Sequence, residues 1–200
     1  MATPPQQARS IATEKKMLDA AEELLQSGDA RKVTLENVVK LSGASMGSFY
    51  ARFGSVEGLF EALHRRYLDS IYGEELLAAM ATSRDQTDLR SALHHTVKTM
   101  LQFGDKKRRL LSYFITQLDP AGLETRRAGI NTMHEILKAH RSEVVHKDLR
   151  RASINTSRLV YQTFIGIILL EPSEFDGRKT SLTSVIETTT QMAYAYLTTE

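Results

Sequence analysis

Residues 33–63, VTLENVVKLSGASMGSFYARFGSVEGLFEAL, limit the fold more than any other part of the chain. Leu35, Val38, Val39 and Leu41 recur at helical rather than alternating spacing, which predicts a short helix and not a strand. Thr34 stands where an N-cap belongs, since its hydroxyl can accept from an unsatisfied N–H of the first turn. Gly43 then breaks the pattern as a turn residue for which positive φ is free of steric cost. Ser45 is placed to cap a second short helix whose Phe49 and Phe53, four apart, point to one side. Ser55 caps a third, with Glu57 in its first turn, where the helix dipole favours an anion, and with Leu59, Phe60, Leu63 and Tyr67 as its apolar stripe. Two short helices hinged at one glycine are the layout of a helix-turn-helix, whose second helix enters the major groove of duplex DNA.

A helix is also predicted over residues 13–26, with Met17, Ala21 and Leu24 on one face and Gly28 just beyond its end. Four prolines in 200 residues, none between Pro5 and Pro120, leave long stretches open to helix. With 42% apolar and 25% charged residues the chain reads as a soluble globular protein. It has no cysteine, which excludes a disulfide scaffold and a thiolate zinc site. The first ten residues lack the apolar core of a secretory signal, and the longest apolar run, 164–170, is too short to span a bilayer. Cytoplasmic location, no membrane and no cofactor are the expectation. Net charge is +2, and residues 1–66 hold nine Lys and Arg against eight Asp and Glu, so bulk charge does not argue for DNA. Placement has to.

Thr34, Val38, the Ser42-Gly43-Ala44-Ser45 turn, Gly47, Phe49-Tyr50, Phe53 and Leu59 together resemble the amino-terminal signature of the TetR family of transcriptional regulators. The resemblance covers residues 13–66; beyond residue 70 it is one of layout only. It implies an all-α chain. A three-helix DNA-binding domain (10–54) and a connecting helix (55–72) would precede a larger helical ligand-binding and dimerisation domain (73–200). The resemblance places Thr34, Ser45, Tyr50 and Arg52 near phosphates and Met46, Gly47 and Ser48 in or beside the major groove. Arg9, Lys15 and Lys16 would follow the neighbouring DNA backbone, with the Pro4-Pro5 tail disordered. Two positions depart from the pattern. Val56 stands where a phosphate-reaching lysine is common, and Arg52 where the family has histidine. One lost cation should lower the salt slope of binding by about one.

The second part again reads as helices, from Leu76 onward. Leu89, Leu93, Val97, Met100 and Leu101 line one ending at Gly104; others are predicted over 110–118, 121–145, 149–170 and 182–197. The resemblance implies that the last pair packs against its copy in a homodimer. Candidate stripes are Leu159, Thr163, Gly166 and Leu170, and Val185, Thr189, Met192 and Tyr196; each also fits an intramolecular core. A small-molecule effector of unknown identity is implied too. Candidate walls for it are Met100, Phe103, Tyr113, Phe114, Gln117, Met133, Tyr161 and Phe164, apolar with a few polar groups. Lys106-Lys107-Arg108-Arg109 suits an anion or a solvated face. His134-Glu135 lacks the second histidine of a zincin motif, because position 138 is lysine.

The expectation is therefore a non-enzymatic regulator, a repressor on a near-palindromic double-stranded DNA operator, released by its effector. Two alternatives remain. One is a DNA-binding dimer without an effector, architectural or controlled by a partner. The other is a serine hydrolase, because Gly43-Ala44-Ser45-Met46-Gly47 also matches the G-x-S-x-G nucleophile elbow, which needs a strand running into Ser45.

Overall fold

The computed structural model describes residues 5–27, 29–71, 74–114, 120–170, 177–178 and 180–199. Among them every regular element is a helix and no strand occurs. The chain divides into two compact units, residues 1–69 and 70–200.

In the first unit α1 (Pro5–Gln26) is followed by a single 3-10 turn and by α2 (Leu35–Ser42), α3 (Met46–Phe53) and α4 (Val56–Ile71). Helix α1 starts earlier than expected and takes in Pro5, because the first turn needs neither the missing N–H nor any φ but the one proline has. Gly28 and the Arg9 and Tyr67 side chains lie outside what is described. Met17, Ala21 and Leu25 of α1, Val38 of α2, Phe49 of α3 and Leu59 and Leu63 of α4 form the core. Leu24, expected in the buried stripe of α1, is only half-buried; Leu25 takes its place. Helices α1 and α4 are also tied by charge. Arg66 reaches both Asp19, which Lys15 contacts at 2.9 Å, and Glu22 at 3.7 Å. Burial would raise the Asp19 carboxyl, but hydrogen bonds from Lys15 and Arg66, with their charges, hold it below the usual value.

The second unit contains α5 (Glu74–Ala81), α6 (Leu89–Lys106), α7 (Arg108–Phe114), α8 (Pro120–Ala139), α9 (Leu149–Leu169) and α10 (Leu182–Thr198). Asp88 caps α6, accepting from Ser91 N at 2.8 Å, and the Glu143 carboxylate takes Leu89 N–H at 3.0 Å. Leu89 and Leu93 of α6, Met133 and Leu137 of α8, Ala152 of α9, and Ala193 and Leu197 of α10 share one core.

Two boundaries differ from the sequence reading, for packing reasons. Helix α6 does not end at Gly104 but continues to Lys106. Gly104 is an interior packing residue: a Cβ there would lie 2.7 Å from the Phe164 ring of α9. Helix α8 ends at Ala139 instead of near Val145, and a 3-10 turn, Arg141–Glu143, follows. Buried Val144 then enters the core and Val145 N–H bonds Leu197 O at 2.9 Å, near the end of α10. Val144 lies seven residues after Leu137, so it keeps the helical period although the helix has stopped. The expected helix over 110–118 is described only through Phe114. No described helix is long and apolar enough to cross a membrane.

Candidate nucleic-acid interface and the cavity of the second unit

The turn between α2 and α3 is built from side-chain caps. Thr34 Oγ1 accepts from Asn37 N at 3.3 Å, fixing the start of α2. Gly43 closes α2 at φ +67°, and a Cβ there would touch nothing. The constraint is thus the left-handed backbone and not space. Ser42 Oγ accepts from Ala44 N at 3.3 Å. Ser45 Oγ accepts from Ser48 N at 3.1 Å and donates to Ser48 Oγ at 3.0 Å. The Ser45 hydroxyl is therefore a helix cap, with no strand leading into it among the described residues. That removes the scaffold the hydrolase alternative requires.

Helix α3 has two unlike faces. Phe49 is fully buried, edge-on to Phe53 at 5.3 Å. On the other side Met46 is 51% exposed and Tyr50 54%, with Gly47 between them on the exposed surface. A Cβ on Gly47 would meet only Ser45 Oγ, at 4.0 Å. Nothing within the chain excludes a side chain there, although glycine in a helix is about 1 kcal/mol less favourable than alanine. Gly58, which the sequence reading passed over, is the opposite case. A Cβ there would lie 1.9 Å from Phe53 O, so only glycine lets α4 start against the end of α3. Its sequence signal was slight, a lone glycine in the first turn of a predicted helix.

The expected cations are deployed unequally. Lys15 is exposed and paired with Asp19. Arg52 is half-buried and donates to Ser10 O at 2.8 and 3.2 Å, to Ser10 Oγ at 2.7 Å and to Ser48 O at 3.3 Å. Four of its five N–H groups are engaged, leaving one, and they link α1 to the first turns of α3. Position 56 opens α4 as a half-buried valine, and Ser55 Oγ accepts from Gly58 N at 3.2 Å. The Glu57 carboxyl is held below its usual value, first by its own backbone N–H and then by Ser55.

The second unit has a half-open cavity of about 300 Å³. Of the expected walls, Met100, Met133, Tyr161 and Phe164 line it. Phe103 is half-buried elsewhere, Tyr113 and Phe114 pack on each other at 5.1 Å, and Gln117 lies outside the described residues. Leu76, Leu77 and Met80 of α5 also line it, as do Arg126 and Arg127 of α8 and Ser157 and Arg158 of α9. The arginines are recoverable from the helical period: Arg126, Ile130 and Met133 fall at i, i+4, i+7, as Arg158 and Tyr161 fall at i, i+3.

Of the two expected dimer stripes, Leu170 and Met192 are exposed, whereas Leu159, Thr163, Gly166 and Val185 are half-buried. Thr189 is buried and bonds Val185 O at 2.7 Å; the Tyr196 hydroxyl accepts from Asn155 Nδ2 at 2.8 Å.

Residues 17–63 match the model for bacterial regulatory proteins of the tetR family. The fold resembles that of a fatty acid degradation regulator, FadR, from Bacillus halodurans (16% identity, 92% of this chain and 98% of the other, TM-score 0.61). It also resembles NalD, a secondary repressor of a multidrug efflux pump in Pseudomonas aeruginosa (17% identity, 96% and 99%, TM-score 0.60). A TetR-like regulator from Rhodococcus sp. RHA1 is similar as well (16%, 92% and 94%, TM-score 0.59). No curated protein is significantly similar in sequence. The match to the tetR-family model thus covers the helix-turn-helix of the first unit, and the fold over nearly the whole chain is similar to that of solved TetR-like regulators.

Proposed function

We propose that this protein is a sequence-specific DNA-binding regulator, a repressor that holds a near-palindromic operator as a homodimer. Gly47 carries the reading. An exposed helical glycine between Met46 and Tyr50, with open space where its side chain would be, is explained by close approach of something outside the chain. In the proposed complex α3 lies in the major groove and Met46 meets an apolar base edge such as a thymine methyl. Ser48 contacts a base edge, while Thr34, Ser45, Tyr50 and Lys15 face phosphates. Arg52 offers one free N–H to a phosphate while it holds α3 against α1. The copies associate through α9 and α10, where Leu169, Leu170 and Met192 are exposed. Repression is supported by the description of NalD as a repressor.

The cavity is the proposed effector site. An effector favouring a non-operator conformation by a few kcal/mol would release the DNA by shifting the population. Selection from a random-sequence duplex pool at near-physiological salt tests the DNA reading. Recovery of one inverted repeat, with half-sites about one helical turn apart, is the expected result. Recovery of no sequence by folded, ligand-free protein would overturn it.

A further inference from the structure

Resting on that reading of the cavity, we propose that its ligand is an amphipathic organic anion, a medium-length hydrocarbon chain ending in a carboxylate or phosphate. The floor is aliphatic, thioether and aromatic: Met80, Met100, Met133, Val160 and Phe164. About 300 Å³ holds on the order of ten non-hydrogen atoms, at the roughly 30 Å³ a water occupies in its liquid. Among the described residues, the charged side chains of the lining are all of one sign: Arg126, Arg127 and Arg158 line it, and no described aspartate or glutamate does.

None of the three arginines is in an ion pair among the described residues, although Arg66, Arg31 and Arg84 of the same chain each have a carboxylate within 4 Å. Arg126 instead stands 5.9 Å from the centre of the Tyr161 ring, which keeps its guanidinium at the cavity by cation–π attraction. One turn before Tyr161, the Ser157 hydroxyl is buried without a hydrogen-bond partner. A ligand oxygen would supply that partner. An anionic head placed here gains charge-assisted, bidentate hydrogen bonds from guanidinium while its tail is buried. A neutral chain of the same length gains only the burial. A bare inorganic anion gains only the pairing, which at exposed arginines is weak.

Titration calorimetry on the full chain, without DNA, tests this with octanoate, octyl phosphate and 1-octanol, each below its aggregation concentration. Octanoate or octyl phosphate should bind at least tenfold more tightly than the alcohol, and the stronger of the two identifies the head group. Replacing two of the three exposed guanidiniums of the lining, Arg126→Gln with Arg158→Gln, should bring that preference below threefold while leaving thermal stability unchanged. Equal affinities for anion and alcohol, an undiminished preference in the double variant, or no binding at all would each overturn the proposal. None of these outcomes touches the DNA reading, which the duplex selection decides alone. Conversely, a failed selection with intact anion binding would sink the operator and leave the ligand class standing.

Discussion

The two units present their candidate sites in opposite ways. In the first, the site centres on the outside of one eight-residue helix and its cap, and its central residues lie close together in sequence: Ser45, Met46, Gly47, Ser48 and Tyr50. In the second, it is the space left where α5, α6, α8 and α9 fail to close, with a lining drawn from residues 76 to 164. A convex site on a short helix is specified by local rules of caps, a left-handed turn and one buried face. A concave site is specified by which side chains are absent from a core. The same residue type therefore means different things in the two places. Gly47 is open to solvent and unconstrained by its own chain, whereas Gly104 is closed against an aromatic ring that also lines the cavity.

The sharpest way to break this contrast is at Gly58, where the exposed site depends on buried backbone. Gly58→Ala would drive a methyl into Phe53 O, and overpacking of this severity costs about 3 kcal/mol. Chemical denaturation should show the first unit losing that much stability, and DNA binding should fall with it. A variant as stable as the parent would mean that α4 starts elsewhere.

At Gly47 stability and binding should separate. Gly47→Ala adds a methyl into open space on a helix, so stability should rise by up to about 1 kcal/mol. Operator affinity should drop about tenfold, some 1.4 kcal/mol, because the methyl occupies the surface offered to the groove. Fluorescence anisotropy on the selected operator, beside a melting curve, measures both. Unchanged affinity would remove the observation on which the DNA reading rests.

This contrast also sets what could be read from the sequence. Thr34, Gly43 and Ser45 do what their residue types and spacing predict, because a cap or a left-handed turn involves neighbours three or four residues away. Met100, Met133, Tyr161 and Phe164 could be selected as apolar residues of long helices. Their shared cavity, and the exclusion of Phe114 from it, depend on how four helices pack. Val144 shows the same limit in small: periodicity places it on the right face and cannot show that the helix ended five residues earlier. Arg52 shows it for charge. Its hydrogen bonds to Ser10 join residues 42 apart, a distance no local pattern spans.

A smaller effect is expected at Gly104. Gly104→Ala places a methyl 2.7 Å from the edge of the Phe164 ring, which can yield toward the cavity it lines. The helix gains about as much from alanine as the displaced ring costs, so stability should change by less than about 1 kcal/mol. Octanoate affinity should fall several-fold as the ring takes up cavity volume. A large loss of stability with unchanged ligand affinity would mean that the ring cannot move.

The weakest expected effect is electrostatic and belongs to the first unit. Asp19 joins α1 to α4 through Arg66, and its carboxyl is held below its ordinary value against the opposing effect of burial. A group whose folded pKa is depressed stabilises the fold above its unfolded pKa, about 3.9, and loses that contribution as pH falls through the folded value. Asp19 is substantially solvent-exposed, so screening limits the pair to at most about 1 kcal/mol. Asp19→Asn should therefore melt slightly earlier than the parent at pH 6, and the two curves should converge as pH falls through the depressed folded value of the Asp19 carboxyl. A gap that persists in acid would assign the loss to packing of the side chain. The charge link between α1 and α4 would then contribute nothing to the stability of the first unit.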